Sequence, residues 1–211
     1  MKYVGMPMGM WLLFGKSFQK HLVSVLHYSE KDAERITGSA KRKYKEIIGR
    51  LPEFEKKDRF KLNIVNCAML CGFLLSMNTK PDLEDATEYY EKAMMTGIMK
   101  WFCRLKGKMK FSNKDIQEMK DTALLKAADR NPYSWTMDFI PYTDGEGYEA
   151  RFDRCGICTL MKECGLYELV PAMCHLDYVM SEAGGASDFV RKYTLASGGP
   201  YCDCGYKKKR G

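Results

Sequence analysis

A chain of 211 residues, 45% hydrophobic and 29% charged, is long enough to bury about 70% of its unfolded surface, so it folds without needing disulfides or a structural metal. The formal charge of +7 falls to +3 once the terminal run Lys207, Lys208, Lys209 and Arg210 is set aside, and no basic stripe interleaved with aromatics is read elsewhere, which argues against nucleic acid as a partner. Nine cysteines at irregular spacings, with no charged start, apolar run and cleavage site of the signal type, predict a reduced, cytoplasmic protein. The most apolar runs, Met6 to Phe14 and Cys67 to Leu75, fall far short of the ~20 residues of a membrane span, so no membrane partner is expected.

In chain order, Trp11 to Leu26 reads as a helix, and Ser29 with Asp32 three residues on signals the capped start of the next. Ala33, Ile36, Ala40, Tyr44 and Ile47 then share one face until Gly49 and Pro52 stop it. Asp58 to Met77 repeats that pattern but is apolar on nearly every side in its second half, as a central buried helix would be. Pro81 opens a longer helix through Leu83, Ala86, Tyr90, Ala93, Gly97, Trp101 and Leu105, whose apolar face is expected inside. Ser112 and Asp115 cap a further helix that runs towards Asn131-Pro132. The methionines of this region, with Cys67, Cys71 and Cys103, read as adaptable core filler.

At Tyr133 the period changes to two. Trp135, Met137 and Phe139 alternate with polar residues, Thr143 to Gly147 supplies turn chemistry, and Tyr148, Ala150 and Phe152 alternate again. A helix from Cys155 to Cys164 and another from Pro171 to Gly184 follow, then a second hairpin from Phe189–Ala196 and Tyr201–Tyr206. Strand, strand, helix, helix, strand, strand predicts an α+β fold: a helical region over 1–132, and over 133–211 a four-stranded antiparallel sheet covered on one face by helices. With no repeat, low-complexity segment or clear linker, the two regions are expected to form one compact unit.

Six of the nine cysteines, interleaved with Glu163, Glu168, Asp177 and Asp203, fall between Tyr148 and Tyr206. A zinc site could be drawn from Cys155, Cys158, Cys174 and Cys202, although two of these lie within a predicted helix and strand rather than in matched loop pairs. Cys155-Gly-Ile-Cys158 also follows a strand and opens a helix, as a redox pair does, but antiparallel hairpins replace the βαβ unit in which that motif is read.

A third reading rests on three blocks in order. Arg154-Cys155-Gly-Ile-Cys158 with Glu163, then Glu168-Leu-Val-Pro171-Ala-Met-Cys174-His-Leu-Asp177-Tyr178, then Tyr193-Thr194 through Gly198-Gly199 to Cys202-Asp203-Cys204, together resemble the L-2-amino-thiazoline-4-carboxylic acid hydrolase family. Cys204 and Gly205 depart from the residues usual there, so the chain resembles a divergent member. The resemblance implies hydrolytic opening of a cyclic isothiourea to an N-carbamoyl cysteine, a small-molecule substrate and no cofactor. Cys174 and Asp177, three apart and so on one helical face, are the candidate nucleophile and proton carrier, with Cys155 at a helix start as a second reactive thiol. Thr194, Cys202, Asp203, Glu163 and Arg191 are candidate substrate contacts, Arg191 or Arg154 for a carboxylate. Cys202 and Asp203 must face opposite sides of their strand. Because Pro171 starts its helix, the Cys174 thiol is expected to ionise easily. A different class stays open: a small-ligand or zinc-binding sensory module without turnover, since Thr194, Gly198 and Cys202 are spaced as in the 4-vinyl-reductase domains. A homo-oligomer is compatible with all of these readings.

Overall fold

The computed structural model describes residues 1–210 and divides into two compact units, Met1–Thr96 with Ile157–Met173, and Gly97–Gly156 with Cys174–Gly211. The first holds α1 (Met6–Ser24), α2 (Glu30–Arg50), α3 (Lys61–Leu74) and α4 (Leu83–Met94). It also takes nearly all of α7 (Gly156–Glu163) and the first turn of α8 (Val170–Gly184). α1 starts earlier than its apolar spacing suggests because Pro7 stands in its first turn, where a missing N–H and a fixed φ favour a helix start. Ser29 caps α2 as expected, its hydroxyl accepting from the Asp32 amide at 3.1 Å. α3 is buried on all sides from Ile64 to Leu74, the central helix its composition predicts. It meets α2 at Gly72, where a Cβ would stand 2.9 Å from the Ala40 carbonyl oxygen, so only glycine lets the two backbones approach this far. Trp11 and Phe18 of α1 stack on Phe73 of α3 with centroids 5.5 and 4.9 Å apart, and Tyr44 of α2 donates to the Pro7 carbonyl of α1 at 2.8 Å.

The long helix expected from Pro81 to Leu105 is two helices. Asp82, not Pro81, caps α4 by accepting from the Asp85 amide at 2.9 Å, and the chain leaves the helix at Met95 with ψ 51 before α5 (Gly97–Met109) begins. The apolar threes and fours run on across the break, so periodicity alone cannot reveal it. Nor does the later face turn inward: Trp101 is 59% exposed.

The second unit holds α5, α6 (Asn113–Ala127), β1 (Thr136–Pro141), β2 (Gly147–Arg154), the rest of α8, β3 (Ser187–Val190) and β4 (Cys202–Lys208). The strands form one antiparallel sheet in the order β1-β2-β4-β3, completing the α+β class. Tyr148, Ala150 and Phe152 pair with Tyr206, Cys204 and Cys202, so strand alternation puts all six on one face. α8 lies on that face, with Tyr178 edge-on to Phe189 at 4.7 Å and the Ser181 hydroxyl donating to the Ser187 carbonyl at 3.0 Å. α6 is tied to β2 by the Tyr148 hydroxyl, which donates to Asp115 at 2.9 Å.

The second hairpin differs from its expected form. The strand predicted over 189–196 is Ser187–Val190, and a loop with a 3-10 turn at Leu195–Ser197 replaces the tight turn. The physical cause is diversion of backbone donors. The Asp203 carboxylate accepts from the amides of Lys192 (3.0 Å) and Tyr193 (2.6 Å), the Thr194 hydroxyl accepts from Ser197 (3.0 Å), and the Cys202 sulfur accepts from Leu195 (3.2 Å). These amides cannot also serve a ladder.

Candidate active site

β4 and α8 set the site. Along β4 the period of two puts Cys202 and Cys204 on the face that α8 covers and Asp203 on the other. Along α8 the spacing of three puts Cys174 and Asp177 on one side, one turn apart. Arg191, just past β3, joins the two elements. Its guanidinium donates through Nη1 to Asp177 Oδ2 at 2.9 Å and through Nη2 to the Cys174 carbonyl at 2.8 Å, and Nη1 lies 4.0 Å from the Cys204 sulfur. The rings of Tyr178 and Phe189, each 5.1 Å away and edge-on to one another, pack against it, and its side chain is only 6% exposed. A cation over aromatic faces, with a carboxylate at its edge, is held rigidly.

The thiols share this field. Cys155, Cys174 and Cys202 lie close enough to oppose one another's ionisation, and Cys204 responds to Cys202 and Asp177 in the same way. Burial pushes the Cys174 thiol up to about 12; Arg191 draws it down, while Asp177, Cys155 and Cys202 reinforce the rise. The easily ionised Cys174 expected from a helix start at Pro171 is therefore not found. α8 begins at Val170, so Cys174 already stands in the second turn, where the helix dipole has faded and loss of water dominates. Cys202 is raised by burial and lowered by the Leu195 amide. Cys204 is raised by burial and then by Asp177.

Asp177 is the complementary group. Burial lifts its carboxyl above the ordinary value, and the charge and hydrogen bond of Arg191 restrain the rise. Its side chain nonetheless keeps 45% of its surface open, with one oxygen on Arg191. It is both desolvated and reachable, which suits a group that takes and returns a proton.

The remaining candidates divide by location. Thr194 and Asp203 organise the loop after β3 through the hydrogen bonds already given, and Lys192 and Tyr193 hang from Asp203. Arg154 is directed to the Asp129 carbonyl at 2.5 Å, with its Nε buried and without a hydrogen-bond partner. Arg191, a candidate carboxylate anchor, has its guanidinium turned onto Asp177 and Cys174 instead. Cys158 and Glu163 belong to the first unit, Cys158 half-buried and Glu163 exposed on α7. Among the described residues, no group of three or more His, Cys, Asp or Glu is placed to hold a metal ion. Sequence reasoning missed Cys204 and the inward role of Arg191. The first was visible in the two-residue spacing from Cys202, whereas nothing in the sequence marks an arginine that turns inward.

No curated protein and no solved structure gave a match. A family model does, over residues 63–206, which include every residue of the cluster on α8, β4 and the loop between β3 and β4. The chain therefore belongs to the L-2-amino-thiazoline-4-carboxylic acid hydrolase family.

Proposed function

We propose that this chain is a hydrolase that opens a cyclic isothiourea, or a closely related C–N/C–S bond, to an N-carbamoyl cysteine type of product. One observation carries the reading: Cys174 and Asp177 stand one turn apart on α8, and the guanidinium of Arg191 holds the Asp177 carboxylate and the Cys174 backbone carbonyl together. Family membership supplies the class of reaction, and the geometry supports a division of labour.

The carbon between ring nitrogen and ring sulfur is the electrophile. A Cys174 thiol raised to about 12 is almost wholly protonated at neutral pH, so it attacks only as its proton leaves. Asp177, one turn along, receives that proton. The new bond joins the Cys174 sulfur to the ring carbon; the ring C–S bond breaks, and the departing sulfur takes a proton to become a free thiol. Water then adds to the enzyme-bound isothiourea carbon, the bond to Cys174 breaks with return of its proton, and the carbon leaves as a urea. The net change is addition of one water. Arg191 acts as a positioning residue that orients Asp177 and holds the Cys174 turn, while Cys155 and Cys202 oppose ionisation of the thiol. No step draws on a cofactor.

The test is turnover of L-2-amino-thiazoline-4-carboxylic acid by the purified chain, with the carbamoyl product identified by mass spectrometry. The expected result is product formation that is lost in Cys174→Ser and in Asp177→Asn. Absence of product from this and related cyclic isothioureas would overturn the reading of the reaction. Unchanged turnover in Cys174→Ser would mean that water is activated by another group.

A further inference from the structure

We infer that α5 is a docking helix for an anionic lipid surface, a role independent of the hydrolytic reading. The helix has an inner and an outer face of opposite character. Met99 and Cys103 are buried, and Gly107 continues their stripe onto Gly184, whose carbonyl lies so near that a Cβ on Gly107 would collide with it. The outer face carries Ile98 (63% exposed), Trp101 (59%), Phe102 (40%), Leu105 (39%) and Met109 (43%). Spaced by threes and fours, these five side chains fall within an arc of about 100° on a helix of 3.6 residues per turn. They form one continuous apolar crest rather than scattered exposed hydrophobics.

The charges around the crest select its occupant. Arg104 and Lys108 border it on one side and Lys106 on the other, Lys106 reaching back over the Phe102 ring at 5.7 Å. From Lys92 to Lys114 there is no acidic residue. An ordinary solvated helix face looks different: α2 exposes Glu30, Lys31, Glu34 and Lys41, both signs together. An apolar crest bearing Trp and Phe, with an all-basic rim, matches the boundary between acyl chains and anionic headgroups. A second copy of the chain fits poorly, since a two-fold contact would set one basic rim against another. Among the described residues no helix is long and apolar enough to cross a membrane, so the helix would lie on the surface. The sequence hid this basic and aromatic stripe because its spacing continues that of α4, which does face a core.

The full chain offers its own probe, because Trp11 and Trp135 are 8% and 5% exposed whereas Trp101 is open. With vesicles of mixed phosphatidylglycerol and phosphatidylcholine, the expected result is co-sedimentation and a blue shift of tryptophan emission. Binding should weaken at least about tenfold on phosphatidylcholine alone, in high salt, and in Lys106→Glu/Lys108→Glu. Trp101→Ser/Leu105→Ser should lose binding while keeping its circular dichroism, since both positions lie outside the core. No binding to anionic vesicles would overturn the inference. So would binding indifferent to the α5 substitutions, which would place it on the Lys207–Arg210 run. A dimer abolished by Trp101→Ser/Leu105→Ser, or an emission shift raised by a single-stranded oligonucleotide and not by vesicles, would assign the crest to another partner.

Discussion

Cysteines on α3 and on α8 have the same side chain in opposite settings. Cys67 and Cys71 have no exposed surface and sit on a helix buried all round. The Cys71 thiol is lowered by its hydrogen bond with Cys164, raised by Cys67 and by burial, and ends well above its ordinary value. Cys174 is raised too, yet it is only half-buried, with the Asp177 carboxylate one turn along the helix and the Arg191 guanidinium on its backbone carbonyl. Burial alone therefore does not separate a packing thiol from the one proposed to react. The difference is a neighbour able to carry the proton away and a charge that holds that neighbour in place.

The sharpest way to break this comparison is Cys174→Ser. The hydroxyl keeps the size and hydrogen bonding but is a far poorer nucleophile, so turnover should fall at least about 10³-fold, with an unchanged thermal midpoint. Arg191→Met sharpens it through pH. Asp177 is raised by burial and restrained by Arg191; in its proposed role as a base it works when deprotonated, so activity should be lost as pH falls through its raised pKa. Removing the guanidinium removes the restraint, and the acid limb of kcat/KM should move to higher pH while turnover drops about 10²-fold through lost positioning. The sign for stability is consistent with this. A carboxyl raised in the folded state favours folding below its unfolded pKa and loses that contribution as pH rises through the folded value.

These assignments show how far the sequence reached. Ser29 and Ser112 announced their helices because a cap is a local bond between residues three apart. The sheet and the face shared by Cys202 and Cys204 follow from a period of two. The break at Met95 lay beyond reach, since the apolar spacing is indifferent to it. The end of β3 depended on Asp203, a residue 13 positions past Val190, capturing amides that propensity assigns to a strand. The ionisation of Cys174 depended on burial, which helix position does not report.

In the first unit the expected effects are on stability alone. Gly72→Ala should cost about 1–3 kcal/mol, because the added Cβ would meet the Ala40 carbonyl at 2.9 Å and the Tyr44 amide at 3.2 Å, both backbone atoms that cannot swing aside. A lowered denaturation midpoint with unaltered turnover per folded molecule is the expected pair of readings. A midpoint unchanged by the alanine would show that α2 and α3 can separate without loss.

The smallest effect, and the direct counterpart of Cys174→Ser, is Cys67→Ser. Cys67 is wholly buried, and exchanging a thiol for a hydroxyl there places a stronger polar group in apolar surroundings, a change that destabilises by about 1–3 kcal/mol when the hydroxyl finds no partner. A partner is at hand, however, because a serine inside a helix can donate to the carbonyl four residues back. Ser76 does this just past α3, bonding the Gly72 carbonyl at 2.7 Å; a serine at 67 would reach the Asn63 carbonyl in the same way and recover much of the loss. The expected outcome is a shift of about 1 kcal/mol or less in chemical denaturation, with kcat and KM unchanged. A folded Cys67→Ser protein without turnover would place chemistry on α3 and undo the distinction between the two sets of thiols.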